Sequence, residues 1–219
     1  MNVSHAVEQR VSIRRFKPEA PSADLVRDIL ERASRAPSGG NLQPWRVFAL
    51  TGEPLAQLKA LIAAEPPQAE PEYAIYPPNL WEPFRTRRFQ NAEDLYATIG
   101  IAREHKAERL QQMGRNAEFF GAPVGIFVCI DRGLGPPQWA DLGIYMQTVM
   151  LLAVERGLDT CPQEYWANRS KPVSAFLKLP PELMLFAGIA LGWRDETAPI
   201  NRLRARRDPF ESWGEMIGF

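Results

Sequence analysis

The sequence predicts a single α+β domain. Short β-branched and aromatic runs near residues 45–50, 124–130 and 183–193 alternate with stretches of helical period. The 219 residues, 45% of them hydrophobic, are enough to bury one core without disulfides or metal. No repeat, low-complexity tract or linker divides the chain, so one domain spans residues 1–219.

Ser22 is placed to cap a helix running to Arg35, because Leu25, Ile29, Leu30 and Ala33 recur at helical spacing opposite Arg27, Asp28, Glu31 and Arg32. Pro37 stops it. Trp45–Leu50 has strand character, Gly52 ends it, and residues 55–64 read as helical. Residues 65–83 are too dense in proline for any regular element, and Tyr73, Tyr76 and Trp81 indicate a loop that folds over something; a lid over a ligand is one candidate. The proline-free stretch Phe84–Phe120 reads as two helices broken near Gly100, with Leu95, Ile99, Leu110 and Met113 facing inward, so the lid-like excursion spans about 65–120. Val124–Ile130 is the second strand. Pro136 and Pro137 open a helix whose stripe of Trp139, Leu142, Met146, Val149 and Ala153 is joined by apolar Ile144, Leu151 and Leu152 off the stripe. Such a helix needs cover on most sides, and a partner subunit is an economical cover, so a homodimer is expected. Gly157 ends the helix, residues 158–162 are extended, and Leu183–Trp193 is the most strand-like run; residues 195–219 form a basic, proline-punctuated arm.

Composition excludes several functions. With 26 basic and 26 acidic side chains there is no global field for nucleic acid or an anionic membrane. The longest apolar stretch, Leu142–Val154, falls short of the ~20 residues that cross a bilayer. Cys129 and Cys161 suit structural thiols in a reducing cytoplasm, and the polar residues 1–11 lack the apolar core of an export signal. His5 and His105 have no ligand-spaced partners, so no metal is expected and both are placed on the surface. No dinucleotide or P-loop glycine motif follows a strand.

Four segments could carry chemistry. In Arg10–Phe16, Arg10, Ser12 and Arg14 alternate along an extended chain, which presents two guanidinium forks and a hydroxyl to one anion such as phosphate, or else a solvated basic patch. In Pro37–Trp45, glycines allow close approach while Ser38, Asn41 and Gln43 offer donors and acceptors to a heteroaromatic ring edge; the alternative is an ordinary turn. Asp159–Trp166 could bring backbone amides to the same ligand, and Cys161 has no nearby histidine to activate it. Asn201–Pro209 carries four arginines without interleaved aromatics, which favours one phosphate over a nucleic acid, with a solvated tail as the alternative.

Across nearly its whole length the chain resembles the flavin nitroreductases: the RxSxRxF start, the SGGNLQPW loop, the GLDTCPQEYW segment and the terminal RxP occur in the family's order. The resemblance implies an intertwined homodimer with a central, mostly antiparallel sheet flanked by helices, two FMN sites at the subunit interface, and carboxy-terminal arms wrapping the partner. Arg10 and Ser12 match positions that hold the FMN phosphate and ribityl chain, and Arg14 matches the residue near the pyrimidine edge. Pro37, Ser38, Gly39, Asn41 and Gln43 match the loop around ring and ribityl, part of it supplied by the other subunit; Pro162, Gln163 and Glu164 match the segment facing flavin N5. Arg207 matches the terminal phosphate-binding arginine, while the basic residue expected two positions earlier is Ala205, leaving Arg204 as the first substitute and Arg206 as the second. The implied activity is reduction of nitroaromatics to nitroso and hydroxylamine products by NADPH or NADH, with ping-pong kinetics and no protein nucleophile, the flavin carrying the chemistry. Quinone, enone or free-flavin reduction and a non-catalytic flavin-binding module are the alternatives.

Overall fold

The computed structural model describes residues 1–219. Four strands, β1 (Arg46–Thr51), β2 (Val124–Asp131), β3 (Asp159–Gln163) and β4 (Leu183–Gly192), form one sheet in the order β1-β2-β4-β3, with every neighbour antiparallel. The helices are α1 (Val3–Gln9), α2 (Ala23–Ala33), α3 (Gly52–Ala64), α4 (Phe84–Ala97), α5 (Lys106–Gly114), α6 (Pro136–Glu155) and α7 (Ser170–Leu177).

The central strands are apolar on both faces because both faces are covered. Along β2, Val124, Ile126, Val128 and Ile130 pack under α2 and α6, while the intervening Phe127 and Cys129 pack under α3 and α7. The β2–β4 register slips between Val128, opposite Ala187, and Cys129, opposite Leu185. The extra residue is Phe186, a bulge that turns its ring toward Tyr73 and Trp139.

On the α3 side, Phe119, Phe127 and Trp166 form a closed aromatic triad with ring centroids 4.6–5.4 Å apart. Phe119 and Phe120 reach the interior only through left-handed backbone, φ 50° and 57°, a strain repaid by their complete or near-complete burial. The triad also needs glycine on the sheet beneath it. A Cβ on Gly188 would lie 2.4 Å from Trp166, and one on Gly125 would lie 2.6 Å from Phe119.

The two helices expected in 84–120 are present, but Leu110 and Met113 face solvent, with 61% and 52% of their surfaces exposed, and neither α4 nor α5 buries a residue. Arg109 links the two helices, through a two-pronged pair with Glu93 and by lying over the Tyr96 ring, and their apolar residues are not aimed at the central core. The proline-rich stretch has no helix or strand. Its first part is strapped to the body: Glu72 N donates to Ala167 O at 2.8 Å, Gln68 bonds Ser170 and Lys171, and Tyr73 stacks on Phe186. Trp81 and Phe84 beyond it are exposed. His5 and His105 are exposed, and no helix is long and apolar enough to cross a membrane.

Gly188→Ala is expected to destabilise the fold by roughly 1–3 kcal/mol through overpacking against Trp166, read as a lowered urea midpoint with an unchanged m-value. Both cysteines are buried, and burial, with a lesser contribution from Glu72, pushes the Cys129 thiol up to about 12; burial pushes Cys161 up as well. Since the thiolate is the reactive form, neither should react with a disulfide reagent at pH 8 until urea opens the chain. Rapid modification of the native protein would contradict this packing.

Candidate cofactor site

The segment after α1 is extended and held from both sides. Ser12 bridges Thr160 of β3 in parallel, Ile13 N donates to Thr160 O at 3.0 Å, and the Ile13 side chain is fully buried. With Ile13 anchored inward, Arg10, Ser12 and Arg14 all line a cavity of about 610 Å³. The cavity's other walls are Asn91 of α4, Gln147 of α6, and Leu203, Arg204, Ala205 and Arg207 of the carboxy-terminal arm. Two sequence segments nearly 200 residues apart thus share one pocket.

Asn201 makes that meeting specific. Its buried side chain accepts from Arg14 N at 2.8 Å and donates to Arg15 O at 2.8 Å and Asp195 O at 2.9 Å. A second tie is the largely buried Asp159 carboxylate, which accepts from Arg194 Nε at 2.8 Å and Arg194 N at 3.1 Å. Between them, Phe16 and Arg194 form an antiparallel bridge.

The charge in the cavity is uncompensated. None of the chain's ion pairs involves Arg10, Arg14, Arg204 or Arg207. Three of these guanidinium groups are oriented instead by backbone oxygens: Arg14 by Ser12 O at 3.1 Å, Arg204 by Leu203 O at 3.3 Å, and Arg207 by Arg206 O at 2.8 Å. Partial burial and then the Arg207 charge lower the Arg10 pKa, which marks two guanidiniums facing one space without an anion between them. The exposed Glu8 at the rim is the only carboxylate in the lining. Arg206 turns away and pairs with Asp94 at 3.0 Å, so Arg204, not Arg206, lines the cavity beside Ala205.

The other predicted residues are placed differently. The Pro37–Pro44 loop is largely exposed and does not line the cavity. It is tightly organised: Gly40, Asn41 and Gln43 have positive φ, Ser38 Oγ accepts from Gln43 N at 2.9 Å, and Gly39 N donates to the buried Asp141 carboxylate at 3.3 Å. Asp141 precedes Gln147 by six residues on α6, about 9 Å along a helix axis, which separates loop and cavity within one chain. Gln163 is buried, and its amide is spent on Asn116 at 2.9 and 3.0 Å and on Trp166 at 3.3 Å, so only its backbone is available to a ligand. Pro162 has no N–H to offer. Glu164 is exposed at the surface, and partial burial of its carboxyl raises its pKa from the usual carboxylate value. Cys161 lies beneath the cavity; burial raises its pKa, while Arg14, a Ser12 hydrogen bond and Arg10 pull the other way, and nothing there acts as a base. No group of three or more His, Cys, Asp or Glu side chains is arranged to hold a metal.

Sequence reasoning missed Asn91, Gln147 and Asp141, and the bracing role of Asn201. Gln147 had a signal, a polar residue inside an otherwise apolar helix; the partners of the others are remote in sequence.

Comparison with known proteins adds an independent line. The family model described as "Nitroreductase family" matches residues 7–193. The chain is 38% identical to a 4-nitrobenzoate reductase of Pseudomonas putida over 97% of this chain and 94% of that protein, and 34% identical to a nitrobenzene nitroreductase of Ectopseudomonas oleovorans over 98% and 96%. Among solved structures, the FMN and NADPH-dependent nitroreductase NfnB from Sphigopyxis sp. strain HMH superposes with a TM-score of 0.96 at 44% identity, covering all of both chains. A family model covering most of the domain and relatives aligned almost end to end lead to one conclusion: the chain belongs to the nitroreductase family.

Proposed function

We propose that this protein is an FMN-dependent oxidoreductase that uses NADPH or NADH to reduce nitroaromatic compounds, and that it works as a homodimer in the cytoplasm. The observation that carries the proposal is the cavity of Arg10, Ser12, Arg14, Arg204 and Arg207, in which no arginine has a carboxylate partner. Its volume lies within the roughly 300–1,000 Å³ of small-molecule sites, and its donors match a phosphate and a polar chain. The relatives described as nitrobenzoate and nitrobenzene reductases, and the solved neighbours described as FMN and NADPH-dependent, support the same assignment.

The bound flavin supplies the redox chemistry, passing electron pairs from reduced nicotinamide to a nitro group. The chain's part is to bind and orient. Arg10, Arg204 and Arg207 would hold the phosphate, with the Ser12 hydroxyl as a further donor; Arg14, fixed through Asn201, would lie along the pyrimidine edge and favour negative charge there. The backbone at Gln163 and Glu164 would border the ring at N5, since the Gln163 amide is already engaged. The loop of Pro37, Ser38, Gly39, Asn41 and Gln43 would serve the site of the second subunit, which accounts for its organised but exposed conformation. Ile144 on α6, together with Trp81, Phe84 and Trp213, offers apolar surface that a second copy would cover. The two buried, unpaired thiols suit a reducing compartment.

Protein reconstituted with FMN and desalted should retain flavin absorbance, bleach with anaerobic NADPH or NADH, and recover its colour on addition of 4-nitrobenzoate. Flavin that stays bound but never bleaches would make the chain a binding module. Arg207→Ala should weaken FMN binding by about 1.5–3 kcal/mol through loss of a charge-assisted contact, measured by fluorescence titration. Unchanged affinity would remove Arg207 from the site.

A further inference from the structure

Arg207 is flanked by two residues that both reach α4. Arg206 grips Asp94 with both prongs, at 3.0 and 3.1 Å, and Asp208 accepts from Arg87 Nε at 2.6 Å. Arg87 and Asp94 are seven residues apart, two helical turns, so they share one face of α4. Arg206 and Asp208 are both turned to α4, and Arg207 between them reaches the lining of the cofactor cavity. A second cavity, about 590 Å³, lies between α4 and the arm, and Asn91, Ala205 and Arg207 line both cavities, so the arm is the wall between them.

We infer that Asp94 and Arg87 of α4 are positioning residues for cofactor retention: by clamping Arg206 and Asp208 they fix the arm so that Arg207 is aimed at the FMN phosphate. This rests on the FMN assignment above. The clamp links the 84–120 excursion to the grip on the phosphate without touching the cofactor. Its sign is diagnostic. Asp94 and Asp208 are carboxylates close to a phosphate site, and acting by charge alone they would repel the phosphate, so removing them would tighten FMN. Acting as a clamp, their removal must loosen it.

The test is titration of FMN and of riboflavin, which lacks the phosphate, into wild type, Asp94→Asn, the double variant Asp94→Asn/Asp208→Asn, and the charge swap Asp94→Arg/Arg206→Asp, with apoprotein melting temperatures as a control on folding. Exposed pairs of this kind predict a loss of about two- to fivefold in FMN affinity for Asp94→Asn and about tenfold for the double variant. Riboflavin affinity should be unchanged, and the charge swap should recover to within about twofold of wild type. FMN affinity that stays the same or tightens overturns the clamp, as does a parallel loss of FMN and riboflavin, or a swap no better than Asp94→Asn alone. Wild-type protein that fails to hold FMN overturns the cofactor assignment and the clamp together; any of the other adverse results overturns the clamp only.

Discussion

A single buried amide, that of Asn201, ties the amino-terminal strand-like segment to the start of the carboxy-terminal arm. It bonds Arg14 N, Arg15 O and Asp195 O at once, supplying the partner of Arg14 N and adding to the backbone bonds that the two carbonyls accept from Asp195 N and Ala198 N. The Asp159–Arg194 pair and the Phe16–Arg194 bridge hold the same junction from the side of β3. Everything in the candidate site depends on this seam, because Arg10, Ser12 and Arg14 enter from one end of the chain and Arg204 and Arg207 from the other. A buried amide with three partners is costly to leave unpaired, so the seam sets position as well as stability.

The electrostatic design follows from where charges are left uncompensated. The chain is neutral overall, and several arginines elsewhere are paired: Arg32 and Arg156 with Asp28, Arg109 with Glu93, Arg194 with Asp159. The four cavity arginines share a confined space and none has an acidic partner, which disfavours the protein without an anion and favours it with one. Arginine suits this task because its planar fork can be oriented by carbonyl oxygens, as in Arg14 and Arg207, while other N–H groups stay available for an anion.

Much of this was legible in the sequence, for identifiable reasons. The strands declared themselves because a sheet covered on both faces needs continuous apolar runs such as Leu183–Gly192. Arg10, Ser12 and Arg14 were legible because alternation along an extended segment is purely local. Where local pattern ends, the reading faltered. The bulge at Phe186 depends on a ring docking against Tyr73, more than 100 residues away. Leu110 and Met113 follow a helical period that points inward, yet both are exposed and α5 buries no residue. The separation of the 38–43 loop from the arginine cavity is set by the length of α6 between Asp141 and Gln147, a distance that no motif encodes.

The central claim is that the two ends of the chain build one phosphate-binding cavity. A crystal structure of the FMN-loaded protein tests it most directly. The account predicts the FMN phosphate within hydrogen-bonding distance of the Arg10 and Arg207 guanidinium groups and the Ser12 hydroxyl, with Asn201 still bridging Arg14 and Arg15. A phosphate bound elsewhere, with Arg10 and Arg207 turned to solvent, would contradict it.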